Sequence, residues 1–552
     1  MRKREVHAGG PLFCEGVATQ FPSDPTQNVT FTYDSTSVTY GIGRLTGRTD
    51  PSGSYTFYYD AHGNLTREDK TINSILYTTQ YTYNNNNILT SITYPSGRVI
   101  TYTPDQIGRI SQVSTTLGGN PKTLASAITY LPYGGITGLT YGNGLILTQG
   151  YDNQYRISSI ITGSILNLTF GYDPNGNIIS LLDTVNPPGG EALDSPGTYT
   201  YQTGTNKLTQ LSGTPPIDFG YDANANITSE TGWTYIYDLS NQLIRVLQDT
   251  TQVGEYTYNG AGQRTKKVTQ TETRVFHYDL RGHLIAETNQ TGQILAEYVY
   301  LGDQLLSIIK PGELVYYYHN DHLGTPQVLT DDSQVIAWKA VYTPFGGAVT
   351  SIATVENPFR FPGQYYDPET GLHYNYFRYY NPQTGRYITP DPIGLEGGIN
   401  LFVYVAANPL RWIDPFGLVT WPTGYHVTIS PFGPRPRGPH SGQDIRNRLG
   451  MPVYTSDSGT VIKVWYDQKW GGGNSILILG DDGSIYGYAH TGQLVVEGQR
   501  VEEGQVIGYS DGTGIIEAPH LHYTYKPPCS EKKVNPKHHL EKATMPTPQI
   551  VY

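Results

Sequence analysis

Five side chains able to hold a metal ion or move a proton fall between His440 and His522. PHSGQDI (Pro439 to Ile445) carries His440 and Asp444, YGYAHTG (Tyr486 to Gly492) carries His490, and APHLHYTY (Ala518 to Tyr525) carries His520 and His522. Imidazole nitrogen and carboxylate oxygen are zinc donors at about 2.0–2.2 Å, and a catalytic zinc site keeps three protein ligands and one open position for water. The chemistry these residues point to is hydrolysis assisted by one zinc ion.

The elements that must position them follow from their flanks. Tyr523, Thr524 and Tyr525 come after HLH, so His520 and His522 open a strand. Residues i and i+2 of a strand point to one face, which brings the two histidines together. His440 and Asp444 have helical i, i+4 spacing, but Pro439 and Gly442 argue against a helix, and a loop is expected there. The helical zinc-protease signature HExxH does not occur in the chain.

HxxxD, then YAH, then HxH closely resembles the lysostaphin-type (LytM-like) zinc endopeptidases of bacterial cell walls. The resemblance runs from about Tyr425 to Pro536. It takes in MPVYTSDSGTVIKV, GGGNSILIL with Asn474, and GQRVEEGQVIGYSDGTG. It implies that His440, Asp444 and His522 hold the metal, while His490 and His520 work on the water and the transition state. The family often has an acidic residue shortly after HLH, where this chain has Thr524; that position is not a ligand.

Composition describes the rest of the chain. Among 552 residues, Gly (63), Pro (37) and Tyr (47) are abundant and Met (3) is scarce. Many short strands joined by turns give this profile, with tyrosine supplying a rigid apolar face and a polar tip. From about Asn28 a degenerate repeat sets in: an aromatic, any residue, Tyr-Asp, then a turn and Leu or Ile. FYYDAHGNLT (Tyr59, Asp60), FGYDPNGNII (Tyr172, Asp173), FGYDANANIT (Tyr221, Asp222), YIYDLSNQLI (Tyr237, Asp238), YTYNGAGQRT (Tyr258, Asn259) and FHYDLRGHLI (Tyr278, Asp279) are examples. Each unit reads as strand, turn, strand, and stacked units can bury a continuous face. The repeated aspartates are expected to cap tight turns through nearby backbone N–H groups and to take no part in catalysis.

These units resemble the YD repeats of Rhs and teneurin-like proteins. YYYHNDHLGTPQVLTD (Tyr316 to Asp331) is close to a signature of that family, as is the core-associated segment from Phe361 to Leu418. The resemblance implies an all-β chain whose hairpins spiral into a hollow shell, closed by a plug and followed by a C-terminal effector. The expected divisions are an unassigned segment 1–28, a shell 29–356, a plug and autoprocessing segment 357–418, and a peptidase domain 419–552. His319 and His322 lack partner ligands and read as a repeat variant with no metal.

DPIG (Asp391 to Gly394) and DPFGL (Asp414 to Leu418) repeat one motif. Asp, Pro and Gly at i, i+1 and i+3 suit a type I turn. The resemblance adds a second role. Its members cut themselves after the Leu of PxxxxDPxGL, and Pro409 to Leu418, PLRWIDPFGL, matches that pattern. Self-cleavage between Leu418 and Val419 is then expected of Asp391 and Asp414, since two nearby carboxyl groups divide into one acid and one base. Arg386 is the arginine expected to assist.

A net charge of −11 offers no basic patch for a duplex, so no nucleic-acid partner is expected. No apolar run approaches the length of a membrane helix. MRKREVHAGGPLF begins basic but lacks the apolar run of a signal peptide, so either another component exports the protein or upstream sequence is missing. Cys14 and Cys529 make no disulfide framework. The function expected is a toxin or effector delivered to the envelope of a target bacterium, with peptidoglycan peptide as substrate and an immunity protein and secretion machinery as partners. The alternatives are a surface-binding protein with a silent peptidase-like module, and a wall-remodelling hydrolase of the producing cell.

Overall fold

The computed structural model describes residues 18–132, 135–174, 177–185, 197–394 and 400–418. Beyond them it describes 428–430, 433–435, 438–440, 443–446, 452–454, 459–467, 473–480, 484–493, 495–501, 506–510 and 520–526. The chain divides into two compact units. One comprises residues 1–390 with 402–417, the other 391–401 with 418–552. Both are built of strands, so the chain is all-β as expected.

The first unit is a run of hairpins. Fifteen strands, from Ala18–Thr19 to Ile178–Asp183, pair in chain order, and sixteen more, from Tyr199–Tyr201 to Ala348–Ala353, do the same. The Tyr-Asp units explain this regularity. Asp152 Oδ1 accepts from the Gln154 and Arg156 N–H groups at 2.8 and 3.0 Å. Asp238 and Asp279 accept in the same way from residues two and four further on. The aspartates are the turn caps that the sequence predicts.

The fourth residue of each Tyr-Asp turn among the described residues takes a left-handed backbone. It is glycine at Gly63 (φ 89°), Gly262 (φ 83°) and Gly282 (φ 82°). Degenerate units place Tyr155, Ala225 and Asn241 there, at φ 61–69°, at a cost that glycine avoids. A type I turn closed by such a residue is a three-residue hairpin loop with an adjoining bulge. The register shift recurs at the residue before the Asp or Asn, at Tyr59, Tyr83, Tyr151, Tyr172, Tyr221, Tyr237, Tyr258 and Tyr278, with the extra residue on the strand that follows the turn.

That tyrosine ties each hairpin to the previous one. Tyr151 Oη donates to Ile136 O, Tyr172 to Ile157 O, Tyr237 to Ile227 O and Tyr278 to Arg264 O, each at 2.7 Å. Tyr221 and Tyr258 donate to Leu208 O and Leu243 O at 2.8 and 2.6 Å. The two long sheets share a core in which Ile92, Ile100, Val113 and Leu124 meet Val299, Leu306, Ile309 and Tyr317.

A four-stranded sheet, Tyr365–Asp367, Leu372–Asn375, Arg378–Asn381 and Arg386–Tyr387, packs on the second long sheet. Its anchor is Arg264, fully buried, paired with Asp367 at 2.5 and 3.0 Å. Lys267 reaches Asp367 at 3.0 Å and Glu369 at 3.2 Å. Rings of Tyr256, Phe276, Tyr365, Tyr374 and Tyr379 surround the guanidinium at 4.4–5.8 Å. His319 is buried against the Tyr141 ring, with Nε2 2.8 Å from Thr330 Oγ1. Burial holds its pKa down at about 3. His322 Nε2 lies 2.8 Å from Leu410 O.

In the second unit, seven strands form one antiparallel sheet. Its order is Thr428–Ser430, Gln443–Arg446, His520–Lys526, Ile485–Ala489, Gly473–Gly480, Gly459–Asp467 and Arg500–Val501. Pro452–Tyr454, Val506–Ser510 and Thr491–Gln493 form a three-stranded sheet, and Gly433–Arg435 pairs with Gly438–His440. Val461, Ile476, Ile478, Tyr486, Tyr488 and Ile507 form its core. No helix among the described residues is long and apolar enough to cross a membrane.

Removing one Tyr hydroxyl strands a buried carbonyl. Tyr237→Phe is therefore expected to lower the stability of the first unit by about 1–2 kcal/mol. Urea unfolding checks this; a midpoint equal to that of the wild type would show the strut to be idle.

Candidate metal centre and autoprocessing segment

Strand register assembles the candidate metal centre. HLH opens the strand His520–Lys526, as the sequence predicts. Asp444 stands directly opposite His522 on the neighbouring strand. On the other side, Ala489 stands opposite His522. Asp444, His522 and Ala489 thus form one row across three adjacent strands. Directly opposed residues share a face of the sheet, with Cβ atoms about 4.5–5.5 Å apart. Carboxylate oxygen and imidazole nitrogen, the donors these two residue types carry, are both zinc ligands.

The expected loop around His440 and Asp444 is corrected. Asp444 lies within the strand Gln443–Arg446, and His440 ends the strand Gly438–His440, opposite Gly433. The helical spacing has no meaning here, because pairing with the HLH strand imposes the extended backbone on Asp444. The side chains of His440, Asp444, His520 and His522 lie outside the described residues. His520 stands opposite Arg446.

His490 follows the strand Ile485–Ala489 and is 5% exposed, with φ 61°. A left-handed backbone is uncommon for a non-glycine residue and is a mark of constrained functional positions. No sequence signal shows it, since His490 is preceded by an ordinary strand pattern.

The two DPxG motifs differ in structure. Asp391 makes the turn that its sequence suggests: Gly394 N donates to Asp391 O at 2.9 Å, and Ile393 N to Asp391 Oδ1 at 3.1 Å. Asp391 belongs to the second unit and Asp414 to the first.

Asp414 is docked on the four-stranded sheet. Tyr387 Oη donates to Asp414 Oδ2 at 2.7 Å, and Arg378 Nη2 lies 3.3 Å from the same oxygen. Arg378 Nε also donates to Gly417 O, and its guanidinium lies 3.6 Å over the Tyr387 ring. Asn375 Nδ2 donates to Asp414 O at 2.9 Å, and Phe377 N to Phe416 O at 3.1 Å. Gly417 has φ 68°, and a Cβ there would stand 2.4 Å from Asn375 O, so only glycine fits.

The arginine at Asp414 is thus Arg378, which the sequence reading missed. Arg386 Nη2 instead donates to Asn206 O at 2.5 Å, with its guanidinium 5.3 Å from the Tyr201 and Phe402 rings. The available signal was a basic residue inside the aromatic strand Arg378–Asn381, where a buried charge demands an acidic partner.

The register generates a test that separates the histidines. His522→Ala is expected to lose both bound zinc and hydrolysis. His520→Ala and His490→Ala are expected to keep most of the metal while activity falls by about 10²–10⁴-fold. Zinc content and hydrolysis are measured side by side; a metal-free His520→Ala beside a zinc-loaded His522→Ala would reverse the two roles.

Parts of the chain match known families and proteins. The Peptidase family M23 model matches residues 438–536, the Teneurin YD-shell model 143–397 and the RHS Repeat model 41–71. Double-stranded DNA deaminase toxin A of Burkholderia cenocepacia (strain H111) is 30% identical over 56% of this chain and 24% of its own length. The chain thus spans about a quarter of that relative. The crystal structure of TcdB2-TccC3-TEV aligns with 73% of this chain and 26% of that chain, at a TM-score of 0.61 and 19% identity, which shows the same fold. The catalytic domain of the antimicrobial peptidase lysostaphin from Staphylococcus simulans is 31% identical over 20% of this chain and 90% of that chain, with a TM-score of 0.19. The chain thus carries RHS Repeat and Teneurin YD-shell segments followed by a C-terminal segment that matches Peptidase family M23.

Proposed function

We propose that this protein is a toxin whose C-terminal domain is a zinc endopeptidase that cuts peptide bonds in bacterial peptidoglycan. The row of Asp444, His522 and Ala489, inside the segment matched to the M23 family, carries this reading. His440, Asp444 and His522 would hold the metal. Zinc bound there supplies Lewis acidity toward the scissile carbonyl and the attacking water. His490 and His520 orient that water, accept its proton at an imidazole nitrogen and stabilise the developing oxyanion.

The YD-repeat body supports delivery to the envelope of a target bacterium, and a relative named as a toxin shares that body. Self-cleavage between Leu418 and Val419 by Asp391 and Asp414 releases the peptidase. An immunity protein and a secretion machinery are the partners that such a toxin needs.

The test uses the full chain on purified peptidoglycan. Soluble fragments with new free amino groups are expected, identified by mass, and their release should stop with a chelator and with His522→Ala. Intact peptidoglycan beside a zinc-loaded protein would sink the substrate assignment.

A further inference from the structure

A pair of carboxyl groups works in hydrolysis when one is charged and the other holds a proton. The surroundings of Asp414 decide which member it is. Asn375 Nδ2 donates to Asp414 O and, at 2.7 Å, to Tyr387 Oη. The main-chain oxygen can only accept, so the amide nitrogen of Asn375 must face it, and the same nitrogen then faces Tyr387. A phenol has a single proton to give. Since Tyr387 Oη accepts from Asn375, its proton goes to Asp414 Oδ2. Arg378 brings a positive charge to that same oxygen.

All four groups are buried: Asn375 and Tyr387 at 0%, Asp414 at 2% and Arg378 at 3% exposure. Two donors on one carboxylate oxygen favour the charged form. The Tyr387 phenol is pushed well above its usual range, first by burial and then by the Asp414 charge, so it keeps its proton. Tyr404 also faces Asp414, and it is raised first by burial and then by the Asp414 charge.

We propose that Tyr387, fixed by Asn375, is a positioning residue that keeps Asp414 as the ionised, proton-accepting member of the self-cleaving pair. This inference rests on the self-cleavage reading above. In the step it serves, the oxygen of a water molecule adds to the Leu418 carbonyl carbon and gives a proton to Asp414. The C–N bond to Val419 breaks as the proton of Asp391 passes to the Val419 nitrogen. One water is consumed, leaving a carboxyl group on Leu418 and an amine on Val419.

Tyr387→Phe keeps the ring and removes only the donor. The full chain is followed for appearance of the Val419 N-terminus across the acidic pH range. With one donor gone, Asp414 holds its proton to higher pH, so the acid limb of the cleavage rate should move up by about one pH unit. A slower rate with the limb unmoved overturns the proposal and leaves Tyr387 a packing residue. A wild-type chain that never cuts overturns the self-cleavage reading instead. The state of Asp414 is then settled by infrared titration of the Asp391→Asn chain, its carboxyl band assigned with Asp414→Asn. A midpoint raised by Tyr387→Phe supports the proposal, and an unchanged midpoint overturns it.

Discussion

The hydrogen bond from the tyrosine before each turn to a carbonyl of the preceding hairpin is the constraint on which the repeat body depends. A hairpin is marginal by itself. Each Tyr-Asp unit solves this with two adjacent side chains. The aspartate closes its own turn, and the tyrosine reaches back to the unit before, as Tyr237 does to Ile227 O. Since the same geometry recurs from Tyr151 to Tyr278, the units stack in chain order without crossovers.

The four-stranded sheet is held by a different force. Arg264 is buried among five rings and neutralised by Asp367. Removing one member of such a pair strands a buried charge and costs about 3–5 kcal/mol. The hairpin Leu372–Asn375 to Arg378–Asn381 that packs beside this anchor also supplies Asn375 and Arg378 to Asp414. The sheet that packs on the second long sheet therefore also holds the segment around Asp414.

The sequence was legible where chemistry is local. Turn capping by Asp152 and Asp238 follows from residues two and four away. The strand nature of HLH follows from Tyr523, Thr524 and Tyr525. Strand pairing between distant segments was not legible. The resemblance expected Asp444 and His522 at one ion, but not the strand pairing that sets them opposite each other, and the expected loop came from local spacing alone. Arg378 and Arg386 look equally suited to assist Asp414, and only the docking of Phe416 and Gly417 on the hairpin selects Arg378. The constrained backbone of His490 has no counterpart in residue type.

The proposed function requires His440, Asp444 and His522 to share one zinc ion. X-ray absorption on the zinc-loaded full chain tests it most directly. One zinc per chain is expected, with imidazole nitrogen and carboxylate oxygen at about 2.0–2.2 Å and no sulfur. A sulfur ligand at about 2.3 Å, or a folded chain that takes up no zinc, would contradict the account.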